Sequence, residues 1–288
     1  MVPGKTLTAQ AAALREWGYD AISIFYPFDQ WGPEIRDEIL SLEGRTGIVP
    51  CEFAFSDPLY GHLMDDDLVR REASRAMYAE AARLCAELGA VTELEFEYGP
   101  QDPLPLFDPY QPLDQEQRDA FTELYLEILE PVQGTEARVL LEPLNRYESR
   151  YLNSVADCVD AVNAVGNPHA GLLLDFFHCS IEEASLGDAI RRSADLIGQV
   201  HLADNNRLLP GRGNLDWAAN LAVLREVGYD GFLNLECSTS GDPSRTLPAT
   251  AAYLRTQLLA RAPRSLKENH VSSTSHVRGQ PGDATARV

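Results

Sequence analysis

Four apolar runs in the second half of the chain stop on groups that can hold a metal ion. ARVLLEP (137–143) carries Glu142 and GLLLD (171–175) ends on Asp175. GQVHLAD (198–204) places His201 near its end, and GFLNLEC (231–237) does the same with Glu236. Taken singly, each has an ordinary explanation. An aspartate after a strand caps the next helix, a glutamate there is solvated or paired, and a lone histidine is a satisfied core residue. Four such residues on consecutive strands form a pattern. In a parallel barrel the ends of adjacent strands share one face, so the four side chains could converge on a single cation. Three carboxylates and an imidazole are an oxygen-rich set, which suits Mn²⁺, and also Mg²⁺ or Co²⁺, better than a thiolate-type zinc site.

The elements that must position these groups alternate along the chain. Strand-like runs occur at 21–25, 47–55, 91–97, 137–143, 171–175, 198–204 and 231–237. Helical periodicity fills 66–88, 115–130, 154–164, 182–196 and 215–227. Strand–helix alternation predicts parallel strands joined by crossovers. REWGYDAISIF (15–25) and REVGYDGFLNL (225–235) echo one another, each placing a glycine, Gly18 or Gly228, where a helix stops before a strand. The expected fold is an α/β (β/α)₈ TIM barrel over residues 1–261. Only seven strands are counted, because the chain opens into a helix at 6–17. Either Met1–Pro3 is the stump of a truncated first strand, or that strand is missing from this chain. A doubly wound open sheet would show a glycine-rich first turn, and none is present. Residues 262–288 lack periodicity and are rich in Ser, Pro, Gly and Arg. They read as a disordered tail, with His270 and His276 solvated.

The net charge of −20 over 288 residues, with Lys5 and Lys267 the only lysines, argues against nucleic acid and anionic membrane as partners. Five scattered cysteines without a CxxC pair suggest free thiols. No run is long enough to span a membrane, and the first residues have no apolar signal region. The expected location is cytoplasmic.

Four segments carry a resemblance to a known family: LEPLNRYE (141–148), LDFFHCSIEE (174–183), VHLADNNRLLPGRGNLDW (200–217) and NLEC (234–237). Together they resemble the xylose isomerase-like barrel superfamily, and within it the ketose 3-epimerases of tagatose and psicose type. The resemblance implies that Glu142, Asp175, His201 and Glu236 ligate one divalent metal. It implies that Glu142 and Glu236 also act as the catalytic acid/base pair, and that Glu148, His178 and Arg207 contact substrate oxygens. Read from the residues alone, His178 could instead cap a helix, and Arg207 could be a solvated loop arginine. Related enzymes are often homodimers or homotetramers, so either assembly is an expectation from the family.

The chemistry so implied is removal of a poorly acidic C–H beside a ketone, through a metal-bound enediolate. The substrate is then a small sugar or keto-polyol. An aldose–ketose isomerase of hydroxypyruvate type and a keto-polyol dehydratase or lyase share that intermediate and stay open. A noncatalytic sugar-binding module does not need two opposed carboxylates. The superfamily's three-zinc DNA-repair endonucleases need more histidines than this chain offers. One departure stands out: Ser238 occupies about the place where the epimerases carry an aromatic just past the last glutamate. A Pro-rich loop, 99–112, lies where a lid would, with Phe107 and Tyr110 available to close over a ligand.

Overall fold

In the computed structural model, residues 2, 4–107 and 111–260 are described. The 262–288 segment, Tyr110, and Met1 and Pro3 of the expected strand stump lie outside them. The elements follow in the order α1 (Leu7–Glu16), β1 (Ala21–Tyr26), α2 (Pro33–Leu40), α3 (Leu42–Thr46), β2 (Val49–Phe55), α4 (Leu68–Leu88) and β3 (Val91–Leu94). Then come α5 (Gln115–Leu129), β4 (Arg138–Leu141), α6 (Val155–Val165), β5 (Ala170–Asp175), α7 (Phe176–Glu182), α8 (Leu186–Ser193), β6 (Ile197–Leu202), α9 (Trp217–Glu226), β7 (Leu233–Leu235) and α10 (Pro243–Leu259). All seven strands are parallel and hydrogen-bonded in sequence order, β1 to β7. Among the described residues this is a TIM barrel with seven parallel strands, as the alternation predicts. Gly18 and Gly228 take the expected left-handed conformation, with φ of 87° and 79°.

Among the described residues no strand lies between β1 and β7. A cavity of about 410 Å³ occupies that seam, walled by Leu7, Leu14, Ile22, Ile24, Leu233 and Leu247. Elsewhere the sheet is covered by helices, and every residue of β5 is buried, the pattern of a parallel strand packed on both faces. At the strand N-terminal end, Arg138 donates to the carbonyls of Ala170 and Leu196 at 3.0 and 3.1 Å. Its guanidinium takes the space a Cβ on Gly171 would need, 2.1 Å away.

The stretch 182–196, read from its periodicity as one helix, is helical only over α8 (Leu186–Ser193), and a separate short helix, α7, ends at Glu182 just before it. Asp175 caps α7 through Phe177 N at 2.6 Å, and Ser185 caps α8 through Asp188 N at 3.2 Å. The break lets α7 stay short and tuck His178 inward.

Candidate metal centre

The strand ends bring the four predicted ligands together. Glu142 and Glu236 stand one residue past β4 and β7, yet each remains in the ladder: Glu142 N donates to Leu94 O at 3.0 Å and Glu236 N to Leu202 O at 3.3 Å. Asp175 and His201 are direct partners in the β5–β6 register. One oxygen or nitrogen from each of Glu142, Asp175, His201 and Glu236 lies within 4.8 Å of those of the others.

The donor set fits a divalent cation on a specific observation. Buried polar atoms are almost always hydrogen-bonded, but Glu142 Oε1, Asp175 Oδ2 and His201 Nδ1 are buried with no hydrogen-bond partner. Three orphaned polar atoms from three strands meet in one cluster. Asp175 reconciles the two roles considered for it: Oδ1 caps α7 while Oδ2 faces the cluster. The crowding shows in the titration. Burial, reinforced by Glu93, Glu236 and Asp175, lifts Glu142 well above the carboxylate range. Burial also acts to raise Glu236, but His201 and Arg207 overcome it and hold that carboxyl below its ordinary value. Burial alone would depress His201; the facing Glu52 and Glu236 outweigh it and raise the imidazole well above the histidine range.

A cavity of about 500 Å³ opens onto this cluster, lined by Glu142, Glu148, His178, Arg207 and Glu236 among others. All three residues assigned to substrate by resemblance therefore face it. His178 is buried; its Nδ1 accepts from Asn145 N at 3.0 Å. A neutral imidazole has one N–H, so this backbone donor places the proton on Nε2, facing the cavity. Burial and the Arg207 charge push the ring down to about 3, so it is neutral at physiological pH. Arg207 Nη1 is 2.8 Å from His178 Nε2, and a guanidinium only donates. Two N–H donors 2.8 Å apart repel, so an oxygen bridging them from the cavity would relieve the contact by accepting from both. Glu148 accepts from Asn145 Nδ2 at 2.9 Å, so Asn145 braces both neighbours.

The Arg207 loop is built on Asp204. Its buried carboxylate accepts from Asn205 N, Gly211 N, Leu215 N and Trp217 Nε1 at 2.9–3.1 Å. Gly213 packs so closely that a Cβ would sit 2.2 Å from Asp204 Oδ1. Arg207 itself adopts a left-handed backbone, φ 59°, with its guanidinium 4.6 Å over the Phe177 ring. Phe176 goes instead to the core, stacked on Trp217. Ser238 N donates to Arg207 O at 2.9 Å, stitching the loop to the segment after β7. Phe107 is exposed.

Sequence reasoning missed Glu52, Glu93 and Glu95. All three are buried; Glu93 and Glu95 line the cavity, and Glu95 Oε2 has no partner. Burial, with Glu52 nearby, pushes Glu93 up to about 8.

Residues 11–257 match the family described as xylose isomerase-like TIM barrel. The chain belongs to that family. Within it, the chain is 43% identical over 96 residues to a D-psicose 3-epimerase of Enterocloster bolteae, covering 33% of this chain and 32% of that protein. It is 38% identical over 133 residues to the 3-dehydro-D-guloside 4-epimerase of Escherichia coli, covering 46% and 51%. The matched stretches thus span between a third and a half of these relatives. Among solved structures, the apo 3-keto-D-glucoside 4-epimerase of E. coli superposes with a TM-score of 0.75 at 27% identity, covering 88% of this chain and 95% of that one. Among the described residues no helix is long and apolar enough to cross a membrane.

Proposed function

We propose that this family member is a divalent-metal-dependent sugar epimerase, an isomerase that inverts a carbinol centre beside a ketone. The observation that carries this is the cluster of Glu142, Asp175, His201 and Glu236 with its unpartnered buried polar atoms. The likeness to epimerases of free ketoses and of keto-glycosides supports it.

Those four residues would hold the cation, with Mn²⁺ the best fit to the donors and Mg²⁺ or Co²⁺ acceptable. When bound, it supplies Lewis-acid polarisation of substrate oxygens. The chain's own groups do the rest. One of Glu142 and Glu236 takes the proton from the carbon, and the C–H electron pair moves onto the neighbouring carbonyl oxygen. The other glutamate returns a proton to the opposite face. His178 Nε2–H and the Arg207 guanidinium point into the cavity as donors to the oxygen that gains charge. Glu148, Glu93 and Glu95 offer acceptors to sugar hydroxyls.

The test is a Mn²⁺-supplemented screen of free and phosphorylated ketoses and keto-glycosides in D₂O. Deuterium entering at the inverted carbon, C3 or C4, supports epimerisation. Label at C1 would indicate aldose–ketose exchange, and loss of water a dehydratase.

A further inference from the structure

His201 presents its two ring nitrogens to two different acidic surroundings. Nδ1 lies 3.5 Å from Glu236 Oε2, within the cation cluster. Nε2 lies 3.1 and 2.9 Å from the two oxygens of Glu52, a fully buried carboxylate on β2. Glu52 is itself fixed. The Ser23 hydroxyl and Asn234 Nδ2 both donate to Glu52 Oε2, the latter at 3.2 Å, and Asn234 Nδ2 also donates to Ser23 Oγ. Ser23 belongs to β1 and Asn234 to β7, the two strands that share no backbone ladder. A single polar chain therefore runs from the seam, through Glu52, to the back of the predicted ligand.

We propose that Glu52, anchored by Ser23 and Asn234, is the positioning residue that fixes His201 as the Nε2–H tautomer and so delivers the Nδ1 lone pair to the cation. A carboxylate only accepts, so it requires a proton on Nε2. A cation at Nδ1 displaces any proton there, so the ligating ring is neutral and keeps its one N–H on Nε2. A negative charge behind the ring also makes Nδ1 a better donor to a metal, and losing such a partner weakens metal binding by about 10–100-fold. The competing use of the same atoms is a second cation held by Glu52, Glu93 and His201, whose ligand atoms also lie within 4.8 Å of one another. The Ser23 and Asn234 donors argue against it, since they already occupy Glu52 Oε2.

The inference rests on the cation site of the proposed function but not on turnover, so its test reads binding and protonation. In the Mg²⁺-loaded protein, ¹⁵N NMR of the histidine rings should place the His201 proton on Nε2. A proton on Nδ1 overturns the proposal without any variant. Mn²⁺ titration followed by EPR should show one tight equivalent for the wild type. Glu52→Leu should bind about 10–100-fold more weakly, whereas Glu52→Gln, whose Oε1 still accepts, should lose less than about tenfold. Two tight equivalents, or Glu52→Leu binding as tightly as wild type, would also overturn it. A protein that passes these tests yet epimerises nothing would sink the proposed function alone.

Discussion

The Arg207 guanidinium lies 2.7 Å from Glu236 Oε2, while its other arm reaches His178 Nε2 at 2.8 Å. This arginine joins the loop after β6 to the glutamate after β7 and stands against the histidine on α7. A cation so close favours the ionised form of Glu236, the form that a base needs.

Arg207 holds that place at the expense of its backbone. A left-handed conformation is unfavourable for a residue with a Cβ by about 1–2 kcal/mol. Arg207→Gly and Arg207→Ala should both cut kcat/KM sharply, because both remove the guanidinium. Arg207→Gly should nevertheless unfold about 1 kcal/mol later than Arg207→Ala. Equal denaturant midpoints at equal slopes would show that the backbone is unstrained there.

Glu236→Gln keeps the shape and removes the proton acceptor. Turnover in the deuterium assay should fall by at least about 100-fold, with circular dichroism close to wild type. Unaltered activity would remove Glu236 from the chemistry.

Asp204 gives the protein a pH-dependent anchor. Burial raises its carboxyl, but donation from Trp217 and from backbone N–H groups more than compensates, leaving it below its ordinary value. The folded state thus binds this proton less readily than the unfolded chain does. The stabilisation is complete above the ordinary carboxylate range, near pH 4, and fades as pH falls through the lower folded value. Asp204→Asn should therefore be less stable at pH 7 by about 1–3 kcal/mol, and its denaturation midpoint should vary less with pH below about 4. A parallel acid limb in both proteins would refute the assignment.

Chelation should destabilise as well as inactivate. Without a cation, Glu142, Asp175 and Glu236 face one another, and Glu142 Oε1 and Asp175 Oδ2 have no partner. Ligand binding to the folded state adds about 2.7 kcal/mol at a hundredfold excess over Kd. EDTA should lower the melting temperature, and Mn²⁺ should restore it in a concentration-dependent way. A melting temperature indifferent to both would argue against the cluster as a cation site.

The barrel and its candidate ligands were legible because each of the four sits at or near the end of an apolar run, where an ionisable group is out of place. Glu52, Glu93 and Glu95 were not, for a related reason. In VTELEFE the alternation of Glu with apolar residues reads as a strand with one wet face. In a barrel the alternate positions point to the interior instead, and burial of Glu93 and Glu95 follows. The signal was available once seven parallel strands were counted. The later start of the helix in 182–196 was also written in the chain, as Ser185 followed three residues later by Asp188, a helix-start pattern hidden inside a periodic stretch. The geometry of Arg207 had no such mark, since a positive φ at a non-glycine residue is set by tertiary contacts.

The seam between β1 and β7 divides the molecule by how readily it opens. A hoop clasped there by Ser23 and Asn234 side chains, rather than by repeated amide pairs, should open there more readily than along the β4–β6 ladders. Deuterium should therefore replace the edge amides of β1 and β7 long before those of β4 to β6. Glu142, Asp175 and His201 ride on the slow-exchanging arc, whereas Glu236 follows the loose end, so any breathing of the hoop changes the spacing between the two opposed glutamates.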